Sequence, residues 1–302
     1  MGNCFTTSKT ISFPDITKYE NISMSCIDDW KDKVYELFIH GGVYEENISE
    51  DFIEEVYNYY HDNEYHNHNH VFEVLQLGVY LLSRNKKTLP GITQLERLTF
   101  CIALLCHDID HRGYTNNEIE DNEIYLEEES LSDDDKSSIA SSNASFNERH
   151  HLYITQKLLK KHHVSYDKSL LIRLILFTDL AMHKKFIEMN LIYQEYYGIK
   201  VKNDAILILF MKLADVGHIL RPLKIHFNNV VQLNAERKIP LTLHDLTRDT
   251  MMFNENFVYP LICKVKDINI GLYFKLNKQY QKNMEIWNNM SELQNMEKTI
   301  KR

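Results

Sequence analysis

From Trp30 onward, apolar residues recur at the spacing of helices. Phe52, Ile53, Val56 and Tyr60 fall at i, i+1, i+4 and i+8, which lines one face of a helix. Leu95, Leu98, Ile102 and Leu105 repeat that stripe. Residues 205–213 are apolar nearly all round, as in a helix buried on every side, and residues 170–177 form a second apolar run. No comparable pattern exists in residues 1–28, which are rich in Ser, Thr and Asn and read as a tail ahead of one domain, 29–302. Residues 118–145 carry EEES, SDDD and SSIASSNAS. Such a stretch buries too little surface to offset its ordering, so it reads as an exposed acidic loop inserted in the domain. The first ten or so of its residues would also suit a solvated helix. The expected fold is all-α, a compact multi-helix bundle.

Composition supports helices over strands. Nine glycines and five prolines in 302 residues supply little turn chemistry for a many-stranded fold. The net charge of −9 comes with no Lys/Arg run able to follow a phosphate backbone, which argues against a nucleic-acid partner. An anionic substrate would need cations to offset the repulsion. Cys4, Cys26, Cys101, Cys106 and Cys263 are odd in number and irregularly spaced, which suits a reducing compartment. No apolar run is long enough to span a bilayer.

Four polar stretches interrupt or close the apolar runs. Tyr65-His66-Asn67-His68-Asn69-His70 puts His66 and His70 on one face if it is helical. Cys106-His107-Asp108-Ile109-Asp110-His111 follows the apolar helix, and His107 and His111 would again share a face. Thr178-Asp179 closes the run 170–177, and Ala214-Asp215 closes the run 205–213. Singly, each has a structural reading: a hydrogen-bonded core histidine, a cap, or a solvated patch. Together they supply two imidazoles and two carboxylates, and Asp108 is placed to bridge two ions. Nitrogen with oxygen ligands suits Zn²⁺; carboxylate with water suits Mg²⁺ or Mn²⁺. A buried carboxylate without a cation or donors costs several kcal/mol.

These stretches resemble a known family. Tyr65-His66-Asn67-x-x-His70, followed by Val74 and Gln76, is similar to the YHNxxHAxDVxQ signature of class I cyclic nucleotide phosphodiesterases, which are HD-type metal-dependent phosphohydrolases. His107-Asp108-x-x-His111-x-Gly113-x-x-Asn116 matches HDxxHxGxxN at every fixed position. Ser145-Phe146-Asn147-Glu148-Arg149-His150-His151 resembles SVLExHH, Thr178-Asp179-x-x-x-His183 resembles TDxxxH, and Ala214-Asp215-Val216-Gly217-His218 resembles AD(L/I)S(N/H). Asn283-x-x-x-Trp287 fits NxxxW. The resemblance covers roughly residues 30–290.

It implies hydrolysis of the 3′ ester of cyclic AMP or cyclic GMP to the 5′-nucleotide. His70, His107, Asp108 and Asp215 would hold a zinc ion. Asp108 would also touch a second ion, magnesium or manganese, whose waters are held by His111, Glu148 and Asp179. A hydroxide between the ions would attack phosphorus while His66 protonates O3′. Glu236, in Gln232-Leu233-Asn234-Ala235-Glu236, stands for the glutamate of QGDxE and would orient His66, although the Gly-Asp is missing. Tyr65, His218, Thr250 and Phe253 would line the substrate site, with Phe253 stacking on the base. The family's base-reading Gln falls on Thr250 here, so weak discrimination between the two nucleotides is expected. That departure keeps two alternatives open: an HD-type phosphohydrolase for another phosphoester, and a nucleotide-binding module with little turnover.

Met1-Gly2-Asn3-Cys4-Phe5-Thr6 fits an N-myristoylation pattern at Gly2, with Cys4 placed for palmitate. One acyl chain holds a protein only marginally, so both are needed for the expected location, the cytoplasmic face of a membrane. The sequence leaves the oligomeric state open.

Overall fold

The computed structural model describes residues 27–85, 89, 91–124, 126, 145–188, 199–238 and 242–300. Among them there is no strand, and the fold is all-α. In chain order the helices are α1 (Ile27–His40), α2 (Glu50–Tyr59), α3 (His68–Arg84), α4 (Gln94–Cys106), α5 (Asn116–Asp121), α6 (Phe146–Lys161) and α7 (Lys168–Leu176). There follow α8 (His183–Glu188), α9 (Ile199–Val216), α10 (Leu223–Glu236), α11 (Leu243–Phe253), α12 (Tyr259–Ile268) and α13 (Ile270–Ile300).

The centre of the bundle is α3 between α4 and α9. From His70 to Leu82 every residue of α3 except Glu73 is buried, which is why no polar face interrupts this stretch. The close pairing of α3 with α4 depends on Gly78: a Cβ there would lie 2.4 Å from the Leu104 side chain. Residues 205–213 are buried throughout, Lys212 included, so the all-round apolar pattern is the core helix α9. On α2, Phe52, Ile53 and Val56 face the core, and Tyr60 just beyond it is buried too. Leu95 departs from its stripe: it is 40% exposed, in the first turn of α4, where the helix enters from a surface loop.

Both expected helical histidine pairs are corrected. α3 begins only after Asn67, whose side-chain oxygen accepts from the N–H groups of Asn69 and His70, so His66 precedes the helix. α4 ends at Cys106 and residues 107–110 form a turn, with Asp110 in the left-handed region at φ 59°. His107 and His111 are therefore not on one helix face.

Part of the expected acidic loop is ordered helix, since Thr115 and Glu118 form a reciprocal capping box that starts α5. Its acidic and serine-rich remainder, 127–144, lies outside the described residues. So do Gly2 and Cys4 and all of the tail up to residue 26, while α1 starts at Ile27, inside the expected tail. Among the described residues no helix is long and apolar enough to cross a membrane.

Candidate metal centre

Three chain segments meet at one point. The Asn67 cap sets His70 in the first turn of α3, the turn after α4 projects His107 and Asp108, and the last turn of α9 brings Asp215. His107 Nε2 lies 3.0 Å from Asp108 Oδ2 and 3.4 Å from Asp215 Oδ1. His70 Nε2 lies 3.3 and 3.5 Å from the same two oxygens. One ligand atom from each of the four residues falls within 4.8 Å of all the others.

His70 Nε2, His107 Nε2 and Asp108 Oδ2 are buried and have no hydrogen-bond partner. Two convergent buried nitrogens and a carboxylate oxygen without partners are costly unless a cation satisfies them, so the residues fit a divalent ion. Burial alone would push His107 down; Asp108 and then Asp215 outweigh it and raise the imidazole to about 10. The site therefore has an excess of negative charge for a proton or a metal to neutralise.

Around Asp108 lies a second polar shell. His151 Nδ1 donates to the Ile109 carbonyl at 2.6 Å, which leaves Nε2 unprotonated, 3.9 Å from Asp108 Oδ1. Burial lowers His151 to about 4. Glu148 accepts from the Asn116 amide at 3.0 Å, and Asn116 in turn accepts from the Asn147 N–H at 2.9 Å. Burial and then the Asp179 charge raise Glu148 to about 7. Asp179 accepts from the Ala181 N–H at 2.8 Å and from the Ser145 hydroxyl. Two facing buried carboxylates, one of them pushed up, again fit a cation.

Sequence reasoning passed over Lys212, whose buried ammonium donates to the Phe177 and Asp179 carbonyls. Burial lowers it to about 8, against the charges of Asp215, Asp179 and Glu148. The available signal was a single lysine inside an apolar run.

On the other side of the cleft His66 meets Glu236, from the last turn of α10. Glu236 Oε1 takes the His66 Nδ1 hydrogen bond, and Oε2 accepts from the N–H groups of Tyr65 and His66 at 2.8 and 2.9 Å. Burial opposes ionisation of Glu236, but these donors bring it down to about 2. The His66 ring stacks on His111, 4.0 Å between centroids. His66, His111 and Glu236 could also be read as metal ligands. The carboxylate, however, is already saturated by three N–H groups, and His111 Nδ1 accepts from the Gly113 N–H at 3.1 Å. This group is an oriented imidazole rather than an ion site.

One cleft is lined by His66, Asp108, His111, Glu148, Asp179, Asp215 and Glu236, together with Tyr65, His218 and Phe253. Tyr65 is buried with its ring 4.4 Å from that of His70. Phe253 stacks on Phe257 at 5.1 Å. Thr250 does not line this cleft. It lines a smaller adjoining cavity shared with His218, Phe253 and Asn254.

Residues 65–240 match the family model described as 3′5′-cyclic nucleotide phosphodiesterase. A high affinity cGMP-specific 3′,5′-cyclic phosphodiesterase 9A of Drosophila melanogaster is 27% identical over 57% of this chain and 11% of that protein. A cGMP-specific 3′,5′-cGMP phosphodiesterase 3 of Dictyostelium discoideum is 28% identical over 91% of this chain and 65% of its own length. The chain thus spans less than two thirds of either relative. The phosphodiesterase domain of the RhoPDE fusion protein from Salpingoeca rosetta shares the fold, with a TM-score of 0.74 at 19% identity over 95% of this chain and 98% of that one.

Proposed function

The chain belongs to the 3′5′-cyclic nucleotide phosphodiesterase family, and on that premise we propose that it hydrolyses the 3′ ester of cyclic AMP and cyclic GMP to the 5′-nucleotides. The observation that carries the proposal is the convergence of orphaned ligand atoms on His70, His107 and Asp108 on the cleft that also holds the His66–Glu236 pair. His70, His107, Asp108 and Asp215 would hold Zn²⁺; Asp108, with His111, Glu148 and Asp179 around it, would hold Mg²⁺ or Mn²⁺ and its waters. Bound there, divalent cations polarise the phosphoryl oxygens and acidify a water.

His66 supplies the proton the leaving group needs. Its Nδ1–H stays on Glu236, so Nε2 is the nitrogen that holds and releases a proton into the cleft. As a water oxygen loses one proton to solvent and bonds to phosphorus while P–O3′ breaks, O3′ takes the proton from Nε2 and the departing alkoxide never accumulates. The stacked His111 and the paired carboxylate keep the ring from turning.

Base selection is weak in this reading. Phe253 offers a ring face, which does not separate adenine from guanine. Thr250, where the family has Gln, has one short hydroxyl and lies off the main cleft. The kcat/KM values for the two nucleotides are expected to agree within about tenfold, or about 1.4 kcal/mol. Both relatives compared above are named cGMP-specific, so the assay is a direct contest. Turnover of both cyclic nucleotides and of bis(4-nitrophenyl) phosphate is measured with added Mg²⁺. A preference beyond a hundredfold would sink the weak-selection reading; turnover of the generic diester alone would point to a different phosphoester.

We also propose dual acylation of Gly2 and Cys4, on their sequence pattern alone. Gly2→Ala is expected to move the protein to the soluble fraction of a eukaryotic cell, and a fully soluble parent protein would overturn it.

A further inference from the structure

His218 lines both the cleft and the adjoining cavity, and its own hydrogen bonding decides what it offers a ligand. Its Nδ1 faces Nδ1 of His226 at 2.7 Å. His226 is fully buried, and its Nε2 receives the indole N–H of Trp287 at 2.8 Å. An indole nitrogen only donates, so His226 Nε2 must be an unprotonated acceptor. The His226 proton then sits on Nδ1 and donates to His218 Nδ1, which must also be bare. Two protonated Nδ1 atoms facing each other, or a protonated Nε2 facing the indole, would set donor against donor. Both rings are therefore neutral and their tautomers are determined, ending with His218 carrying its proton on Nε2. Among the described residues that Nε2 has no partner.

Resting on the functional reading above, we infer that Trp287 and His226 are positioning residues that lock His218 as an N–H donor toward a purine acceptor atom of the substrate. Asn254 also lines the adjoining cavity. Asn254 Nδ2 donates to the Thr250 carbonyl at 2.8 Å, which orients the amide, and its Oδ1 is buried without a partner. A single N–H donor is met by an adenine ring nitrogen, and equally by guanine O6 or N7. The wiring thus recognises a purine without choosing between the two.

The test uses the full chain, metal-loaded and labelled with 15N-histidine, and reads tautomers from ring-nitrogen shifts, with His218 assigned by its loss in His218→Asn. The wild type should show His218 as the Nε2–H form and His226 as the Nδ1–H form. Trp287→Phe keeps an aromatic ring against Phe227 while removing the N–H donor together with part of the indole volume. In that variant His218 should become a mixture, and KM for both cyclic nucleotides should rise about three- to tenfold with kcat changed less than twofold. A wild-type His218 protonated on Nδ1, or a folded Trp287→Phe with unchanged tautomers, overturns the relay; if that variant does not fold, the wild-type spectrum alone decides. Locked tautomers in a protein that turns over no cyclic nucleotide would uphold the relay and remove the functional reading instead.

Discussion

Glu236 closes a hydrogen-bonded loop on His66 from 170 residues away, taking the ring Nδ1 on one oxygen and two backbone N–H groups on the other. The backbone donors matter as much as the ring. They fix the peptide that carries His66, so the imidazole is held both at its root and at its tip.

His66→Ala should keep metal content near wild type and lower kcat by about 10²–10⁴, the usual contribution of a general acid. Glu236→Gln should lower kcat by less, since an amide oxygen still accepts from the ring and the backbone N–H groups but carries no charge. Steady-state kinetics with metal analysis checks both, and a His66→Ala enzyme with normal kcat would sink the assignment.

Metal binding at the four-ligand site should release protons at pH 7. His107 is raised to about 10, so the metal-free protein carries a proton there that a ligating nitrogen must lose. Calorimetric titration of Zn²⁺ into chelator-stripped protein, in buffers of different ionisation enthalpy, should show at least about one proton released, with affinity falling as pH falls. Stripping should also abolish hydrolysis and lower Tm.

Asp110→Asn should destabilise the protein by about 1–3 kcal/mol, the range for losing hydrogen bonds to a charged group. The carboxylate sits against His61 at 2.6 Å, His150 at 2.8 Å and Arg112 at 3.3 Å. Burial opposes its charge, but His150, His61 and Arg112 hold it well below the ordinary 3.8. A depressed carboxylate stabilises the fold above pH 3.8 and loses that contribution as pH falls below it. Asn tolerates the left-handed backbone at this position, so the variant isolates the charge. Urea melts of both stripped proteins should differ at pH 7 and converge at acid pH.

Gly78→Ala should cost about 1–3 kcal/mol through overpacking, because the new methyl enters the space of Leu104 between α3 and α4. The same displacement separates His70 from His107 and Asp108, so Zn²⁺ affinity should fall along with Tm. A drop in Tm with unchanged affinity would show that the crossing supports stability alone.

The helices were legible where burial is complete or one-sided. Residues 205–213 could only be a core helix, and the stripe from Phe52 to Val56 could only face inward. The candidate ligands were legible as types, because His-Asp at the end of an apolar helix has few other uses. Their local geometry was not. Periodicity extended a helix through His66 and through His111, while Asn67 and the turn at 107–110 broke it at both places, since capping and a left-handed residue leave no mark in an apolar pattern.

By itself the amino-acid sequence determined the all-α class and which residue types would assemble a metal site, because helical spacing and ligand chemistry are local properties. Only tertiary structure decided that Lys212 donates to the Phe177 and Asp179 carbonyls, and that Trp287 reaches His218 through His226. These are contacts between helices distant in sequence. A hydrogen bond needs its donor and acceptor within about 3 Å, and that placement is set by how the buried faces of the bundle pack rather than by any spacing along the chain.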